Sequence, residues 1–422
     1  MHDSTPLSAD WPPAIRALKH RNFRLYFIGH AVSTLGSWVQ QVALAWLIYR
    51  LTGSASLLGV TTFVALVPQL LLGPLAGAWI DRHDKRRLLI LTQGLLGLQA
   101  AVLAVLTATE HIGPASIVAC SALLGVLNAL DTPLRQSLLS RFVDERADLA
   151  NALALNAMLI NAARFIGPPL AGLLLGMTGE ATCFALNALS YLGLLAGLLF
   201  IRILPSAPAQ GSLRSVFGAG LDYVRDNPQV RLMLISVMMI NLTASSYAVL
   251  LPVFAKDVFA GQASLLGWLW GAAGCGALLA ALFLSLHKGQ EKLSRVIACA
   301  ALVSAVALLI FALSTSLPLS LLAMLVLGFG ISTSNIGTNI LLQGQTPEGL
   351  RGRVVSLYTS TRFGFDAIGG LLVGLLAAQV GGPAALAGAG VILLAYCIWL
   401  LRLLKRNVEM LLASQTPIAE ER

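Results

Sequence analysis

Apolar residues run along this chain in twelve long blocks separated by short polar turns. The blocks are Phe23–Leu51, Leu57–Ile80, Leu88–Thr109, Pro114–Leu138, Ala150–Met177, Ala181–Ile203, Leu232–Val258, Leu265–Leu286, Leu293–Ser314, Pro318–Leu342, Val354–Val380 and Pro383–Leu403. Each reaches the roughly 20 residues that a helix needs to cross a bilayer. Lipid leaves every backbone polar group to find its partner internally, and these blocks are too long and too uniformly apolar for barrel strands. The pattern therefore predicts an all-α membrane protein with twelve transmembrane helices. Composition agrees: 57% of the 422 residues are hydrophobic and 11% are charged, against about 25% charged in a soluble domain.

The placement of the charges sets an orientation. Arg16, Lys19, Arg21 and Arg24 precede the first block; Arg82, Lys85, Arg86 and Arg87 follow the second; Arg135, Arg141 and Arg146 surround the turn after the fourth. The same face collects Arg214, Arg225, Arg231, Lys288, Lys292, Arg295, Arg351, Arg353 and Arg402, whereas the opposite turns carry only Arg50 and Lys256. Short-loop Lys/Arg excess marks the cytoplasmic side, so both termini are expected in the cytoplasm. The net charge of +9 is then a topology signal, and no nucleic-acid partner is needed to explain it. The first 22 residues are polar and lack a short apolar core with a cleavage site, so no removable signal peptide is expected. Cys120, Cys183, Cys275, Cys299 and Cys397 all lie in apolar runs without a CxxC pair and read as packing residues.

The chain also repeats itself. GSASLLG begins at Gly53 and GQASLLG at Gly261, 208 positions on; IGPPLAGLL begins at Ile166 and IGGLLVGLL at Ile368, 202 positions on. Each pair falls on blocks six apart, which cross in the same direction. The chain is thus read as two pseudo-symmetric six-helix bundles, related by an axis along the membrane normal, with a cavity between them. The divisions are a cytoplasmic segment (1–22), an N-terminal bundle (23–203), a cytoplasmic linker (204–231), a C-terminal bundle (232–404) and a cytoplasmic tail (405–422). Within the linker Leu213, Val216, Leu221 and Val224 alternate with charges in a rough helical pattern, which fits either an interfacial helix or an ordinary flexible connection. Gly73 with Gly77, Gly172 with Gly176 and Gly370 with Gly374 are spaced for close helix approach.

GPLAGAWIDRHDKRR, from Gly73, resembles the signature loop between the second and third helices of the major facilitator superfamily, matched at Gly77, Asp81, Arg82, Lys85 and Arg86. Asp84 stands where that family most often has Gly. RFIGPPLAG, from Arg164, resembles the fifth-helix Gly-Pro motif of exporters in the superfamily at Gly167, Pro168 and Gly172, with Leu173 in place of the second closing Gly. DTPLRQSLL at Asp131, ERADLANALALN at Glu145 and LRGRVVSLY at Leu350 extend the likeness over almost the whole chain, toward the enterobactin-exporter-like and multidrug-efflux branch. The resemblance implies the major facilitator fold in a bacterial inner membrane. It also implies proton-driven export of an amphiphilic organic molecule, siderophore or drug-like, by alternating access. Asp131, Arg351 and Arg353 join the signature-loop residues, Asp81 foremost, as an expected cytoplasmic gate. The two prolines of the fifth helix are expected to bend it.

Charged groups deep in a bilayer are costly and are candidates for function. Arg164, Arg362 and Asp366 lie roughly 13 to 21 Å from the cytoplasmic helix ends at about 1.5 Å per residue. Arg362 and Asp366 are four apart on one face, either a proton-coupling pair or a structural ion pair. Two deep arginines against one deep aspartate tilt the cargo toward an anion. Gln40, Gln41, Asn128, Asn241, Ser245, Asn335 and Asn339 fall in the first, fourth, seventh and tenth blocks, which face the cavity in the superfamily. With Arg164 they form the expected substrate surface. Trp38, Tyr247, Trp268 and Trp270 either stack on an aromatic substrate or belong to an interfacial belt. The chain has no GxxxxGKS/T loop, HExxH, His/Cys cluster or serine elbow, so an ATP-driven pump, a membrane enzyme and a resident metal or cofactor are not expected. A major facilitator importer or uniporter, and a non-transporting receptor, remain as alternatives. Small molecule, protons and lipid are the expected partners of a monomer.

Overall fold

The computed structural model describes residues 12–80, 82–201, 213–286 and 293–415. The expected gate acid Asp81, the start of the linker, and Lys288 and Lys292 lie outside them. The N-terminal half holds α1 (Arg21–Thr52), α2 (Ala55–Ile80), α3 (Lys85–Ala108), α4 (Pro114–Leu139), α5 (Leu149–Thr178) and α6 (Glu180–Phe200). After α7 (Leu213–Asp226), the second half holds α8 (Pro228–Thr243), α9 (Tyr247–Val253), α10 (Ala263–Leu286), α11 (Leu293–Leu313), α12 (Leu317–Gln345), α13 (Glu348–Val380) and α14 (Gly382–Gln415). Among the described residues, twelve spans are long and apolar enough to cross a membrane, with α8 and α9 sharing one. This is a multi-pass membrane protein. Large apolar side chains such as Leu98, Val105, Leu189, Leu199 and Leu322 stand more than half exposed on its outer surface, as lipid contact requires.

Several helices extend beyond their apolar blocks. α13 begins six residues early, at Glu348, and α12 runs on to Gln345. Glu348, Arg351, Arg353, Gln343 and Gln345 in the extra turns are good helix formers that offset the glycines among them, and their long side chains can reach water from the helix end. Asp84 explains itself at such an end: its carboxylate accepts from the backbone N–H of Arg86 (3.0 Å) and Arg87 (3.2 Å), capping α3. The 3-10 turn Pro13–Lys19 is tied down at the same face. Lys19 bonds Asp148 (2.8 Å) and Glu145 (2.9 Å), and these carboxylates, Asp148 foremost, hold its ammonium above the usual lysine range.

The seventh span is not one continuous helix. After α8 the chain tightens into a 3-10 turn at Ala244–Ser246, resumes as α9, and loosens into a π turn at Phe254–Val258. The side chains supply the cause. Thr243 and Ser246 return hydrogen bonds to the carbonyls of Met239 (2.5 Å) and Leu242 (2.8 Å), competing with the helical ladder. Pro252 then withholds the N–H that Ala248 would have received.

Within each half the helices pack as a bundle: α1 on α5 and α6, α2 on α4, and α3 on α4 and α6, then α10 and α11 on α12, α8 on α13, and α11 on α14. The halves meet mainly along two seams, α2 against α13 and α5 against α10. α7 lies against α13, where a Cβ on Gly220 would stand 3.2 Å from that of Arg353.

Candidate functional site

The two repeated motifs meet each other across the seams. A Cβ built on Gly59, in the first GxASLLG copy, would lie 2.9 Å from the Gly370 carbonyl oxygen and 3.2 Å from Gly374 Cα. A Cβ on Gly267, in the second copy, would lie 2.6 Å from the Pro168 oxygen and 2.9 Å from Gly172 Cα. Gly59 and Gly267 are repeat equivalents, and so are Gly374 and Gly172. One contact is therefore made twice, each half's turn motif seated on the other half's glycine stripe. Beside it, Gly274 brings α10 against the carbonyl of Arg164, 2.5 Å from a built Cβ. That carbonyl is free because Pro168, four residues on, has no N–H. α5 nonetheless runs through both prolines as one helix from Leu149 to Thr178.

The turn itself is not repeated in detail. Gly53 closes α1 in the left-handed region at φ 60°, while in the second copy Ala260, one residue earlier in the alignment, takes φ 46°. At this Lys/Arg-poor end Tyr49 donates its hydroxyl hydrogen bond to Asp257, and Lys256 sits 5.5 Å over the Tyr49 ring. Tyr49 and Asp257 are separated by 208 residues, the offset of the repeat, so equivalent positions face each other near the pseudo-two-fold axis. Arg50 pairs with Glu180 at 2.6 Å beside them.

Inward of this closure lies a cavity of about 260 Å³, built from α1, α2, α4 and α6 and completed by Ala248, Val249 and Trp270 of the other half. Its polar lining is wholly uncharged: Gln40, Gln41 and Asn128, which the sequence picks out, with Ser37, Thr61, Thr62, Gln69, Ser121, Asn187 and Tyr191, which it does not. Gln40 is the hub, donating to Gln99 (3.1 Å) and accepting from Asn187 (2.8 Å). The Ser121 hydroxyl is buried without a hydrogen-bond partner among the described residues. Trp270 meets Trp38 edge-on at 6.4 Å, and Gly167 leaves room for Trp38.

The other expected residues gather elsewhere. Asn241 donates to Asn335 at 3.1 Å and accepts from Ser245 at 3.2 Å, a buried knot inside the second half. Asn339 accepts from Gln343 at 3.1 Å, nearer the Lys/Arg-rich end. Arg164, Arg362 and Asp366 lie within electrostatic reach of one another, and Arg164 and Asp366 also within reach of Tyr247. No ion pair joins Arg362 to Asp366 among those found between described residues, and Arg362 sits 5.4 Å over the Phe363 ring. Trp268 is half-exposed on the outer surface. Of the expected gate residues, Gly77 falls in the last turn of α2, and Arg82 follows that helix. Lys85 opens α3, and Arg86 spends its guanidinium on the carbonyls of Leu198 and Leu199 (3.0–3.1 Å), which end α6 of its own half. Arg351 is exposed in the first turn of α13. Asp131 pairs with Arg135 at 2.6 Å inside the first half.

The sequence and the fold both have counterparts among known proteins. The profile of a family described as transmembrane secretion effector matches residues 12–421. The staphyloferrin A transporter of Staphylococcus aureus is 32% identical over 265 residues, 62% of this chain and 66% of that protein. The enterobactin exporter EntS of Shigella boydii is 26% identical over 406 residues, 94% of each chain. The crystal structure of the nucleoside transporter NupG, at 16% identity, superposes with a TM-score of 0.66 over 91% of this chain and 97% of its own, a likeness of fold. The chain is a transporter rather than an enzyme, and it belongs to the transmembrane secretion effector family of the major facilitator superfamily.

Proposed function

We propose that this transporter exports an amphiphilic, hydrogen-bonding organic molecule, siderophore-like or drug-like, in exchange for protons. In this reading it works as a monomer in a bacterial inner membrane with its Lys/Arg-rich face in the cytoplasm. The observation that carries the reading is the cavity. It lies between the halves, beneath glycine seams that close the opposite face, and is lined by amides, hydroxyls and an indole. Ser121 in that lining lacks a partner among the described residues, and a buried unsatisfied hydroxyl is where a ligand's polar group gains most. The names of the two relatives, a staphyloferrin A transporter and an enterobactin exporter, favour a siderophore-like cargo.

Roles follow from chemistry. The cavity amides hold the hydrogen-bonding body of the cargo. Arg164 attracts an acidic group, and Asp366 carries the proton under the influence of Arg362. The signature-loop charges, with Asp131, Arg351 and Arg353, close the cytoplasmic face in the other state. The test is untargeted metabolite profiling of medium from cells producing the wild type, Gln40→Ala or no transporter. One chelator- or drug-like compound should accumulate outside only with the wild type. Identical media in all three cultures would overturn the export reading.

A further inference from the structure

A second group of buried polar side chains lies in the first half, bordering the cavity but outside its lining, and away from Asp366. His30 of α1, Gln93 of α3, and Asp131 and Arg135 of α4 meet there, all well buried. Counted from Arg21, Lys85 and Leu139 at about 1.5 Å per residue, His30, Gln93 and Asp131 sit about 12 to 14 Å from the Lys/Arg-rich helix ends, and Arg135 is one turn nearer its helix end, at about 6 Å. Arg135 is the centre. Its Nε donates to Asp131 at 2.6 Å, its Nη2 donates to Gln93 at 3.2 Å, and its Nη1 donates to Nδ1 of His30. The Gln93 amide returns a hydrogen bond to the second oxygen of Asp131.

This geometry fixes a protonation state. A guanidinium has only donors and does not titrate in proteins. Nδ1 of His30 must therefore be the acceptor, and the ring is neutral with its hydrogen on Nε2. The Thr34 hydroxyl, 3.1 Å from the same Nδ1, donates to it as well. A proton arriving on Nδ1 meets two donors, one of them a fixed cation, so it can bind only if Arg135 leaves. Among the described residues, the titratable and charged groups of this cluster are Arg135 of α4 and Tyr26 of α1, stacked 5.2 Å away, at the imidazole itself, with Asp131 of α4 and Tyr191 of α6 beside Arg135; α3 contributes the neutral Gln93. The arrangement reaches the cavity along two helices. Asn128 is one turn from Asp131 on α4, and Gln40 and Gln41 lie further along α1 from His30.

We infer that His30, gated by Arg135 and Asp131, is a second proton-binding site, in the N-terminal half, shown here in its proton-free form. The inference rests on the antiport reading. In the structure closed at the Lys/Arg-poor face the proton has left and Arg135 occupies its place. In the opposite state Nδ1–H forms, Arg135 turns away, and the movement of α1 against α4 redraws the cavity wall that holds Gln40 and Asn128. A merely structural cluster would keep one tautomer throughout.

The test uses the full-length protein in lipid nanodiscs with two readouts on the same samples. Nitrogen-15 histidine spectra, with His30 assigned from His30→Gln, report its protonation. Spin labels at Leu51 and Ala260 report opening of the Lys/Arg-poor face. As pH falls from about 8 to about 5, the range histidine covers, the doubly protonated His30 signal and the longer label distance should rise together with one midpoint. His30→Gln, whose amide oxygen can still accept from Arg135, should lose the rise that the His30 signal tracks. If the labels move while His30 stays a neutral Nε2–H tautomer, the proton sits elsewhere; this inference falls and antiport stands. If the labels do not respond to pH in the wild type, the antiport reading fails and takes the second site with it.

Discussion

Gly267→Ala adds one methyl group at a place where the structure has no room for it. Its Cβ would stand 2.6 Å from the Pro168 oxygen and 2.9 Å from Gly172 Cα, both backbone atoms that cannot rotate aside. Favourable contact between such atoms begins near about 3.5 Å, so α5 and α10 must part by roughly 0.6 to 0.9 Å. Overpacking of this kind costs about 1 to 3 kcal/mol, and the cost falls on the state in which the seam is closed. Relative to the open state, that is about a 5- to 150-fold shift in population. The assay is labelling of a single cysteine introduced at Leu44, in the cavity wall, by a membrane-impermeant maleimide from the Lys/Arg-poor side. The five native cysteines are replaced in the same background. Gly267→Ala should label faster by a factor in that range. Gly94→Ala is the comparator, since nothing lies within 4 Å of a Cβ there, and it should label as the wild type does. If folded Gly267→Ala labels at the wild-type rate, the α5–α10 glycine contact does not hold the face shut.

Three further outcomes are expected. Asp366→Asn in proteoliposomes should abolish accumulation of cargo driven by a pH gradient while leaving downhill exchange, and Asp366→Glu should keep part of the coupling; gradient-driven accumulation by the Asn variant would assign the proton elsewhere. Tyr49→Phe or Asp257→Asn should each raise labelling of the Leu44 cysteine by losing a hydrogen bond to a charged group, worth about 1.5 to 3 kcal/mol. The double variant should add little to either single one, and full additivity would mean that the two side chains act independently. Asp84→Ala should lower the melting temperature through loss of a helix cap worth about 1 kcal/mol, while Asp84→Gly should cost only a few tenths; equal effects would refute the capping role.

Much of the architecture was legible because the bilayer enforces it. Apolar length fixed the spans, and the two motif echoes marked the halves. Gly172 and Gly374 stood out as spaced small residues, although only the structure shows that their partners are Gly267 and Gly59. The break in the seventh span was harder to read, since Thr243, Ser246 and Pro252 are each tolerated in a membrane helix and act only in combination. The cavity was half-legible. Gln40, Gln41 and Asn128 are conspicuous amides, but Asn241 and Asn335 are just as conspicuous and bond each other inside a bundle. Which face of a span a polar residue takes is decided by neighbouring helices, and so Ser121 and Asn187 were missed. Tyr49 and Asp257 did carry a signal: they are separated by the repeat offset, and equivalent residues close to a two-fold axis can meet. His30 carried none, because its partners come from two other helices far along the chain.

The two halves are expected to rock about the cavity, so that one face opens as the other closes. The direct measurement is a pair of spin-label distances in nanodiscs, taken between pH 5 and 8. One pair, Leu51 with Ala260, reports the Lys/Arg-poor face; the other, Ser140 with Glu348, reports the Lys/Arg-rich face. The first distance should lengthen as the second shortens, with a common pH midpoint. Two distances that lengthen together, or that both stay fixed across the range, would contradict it.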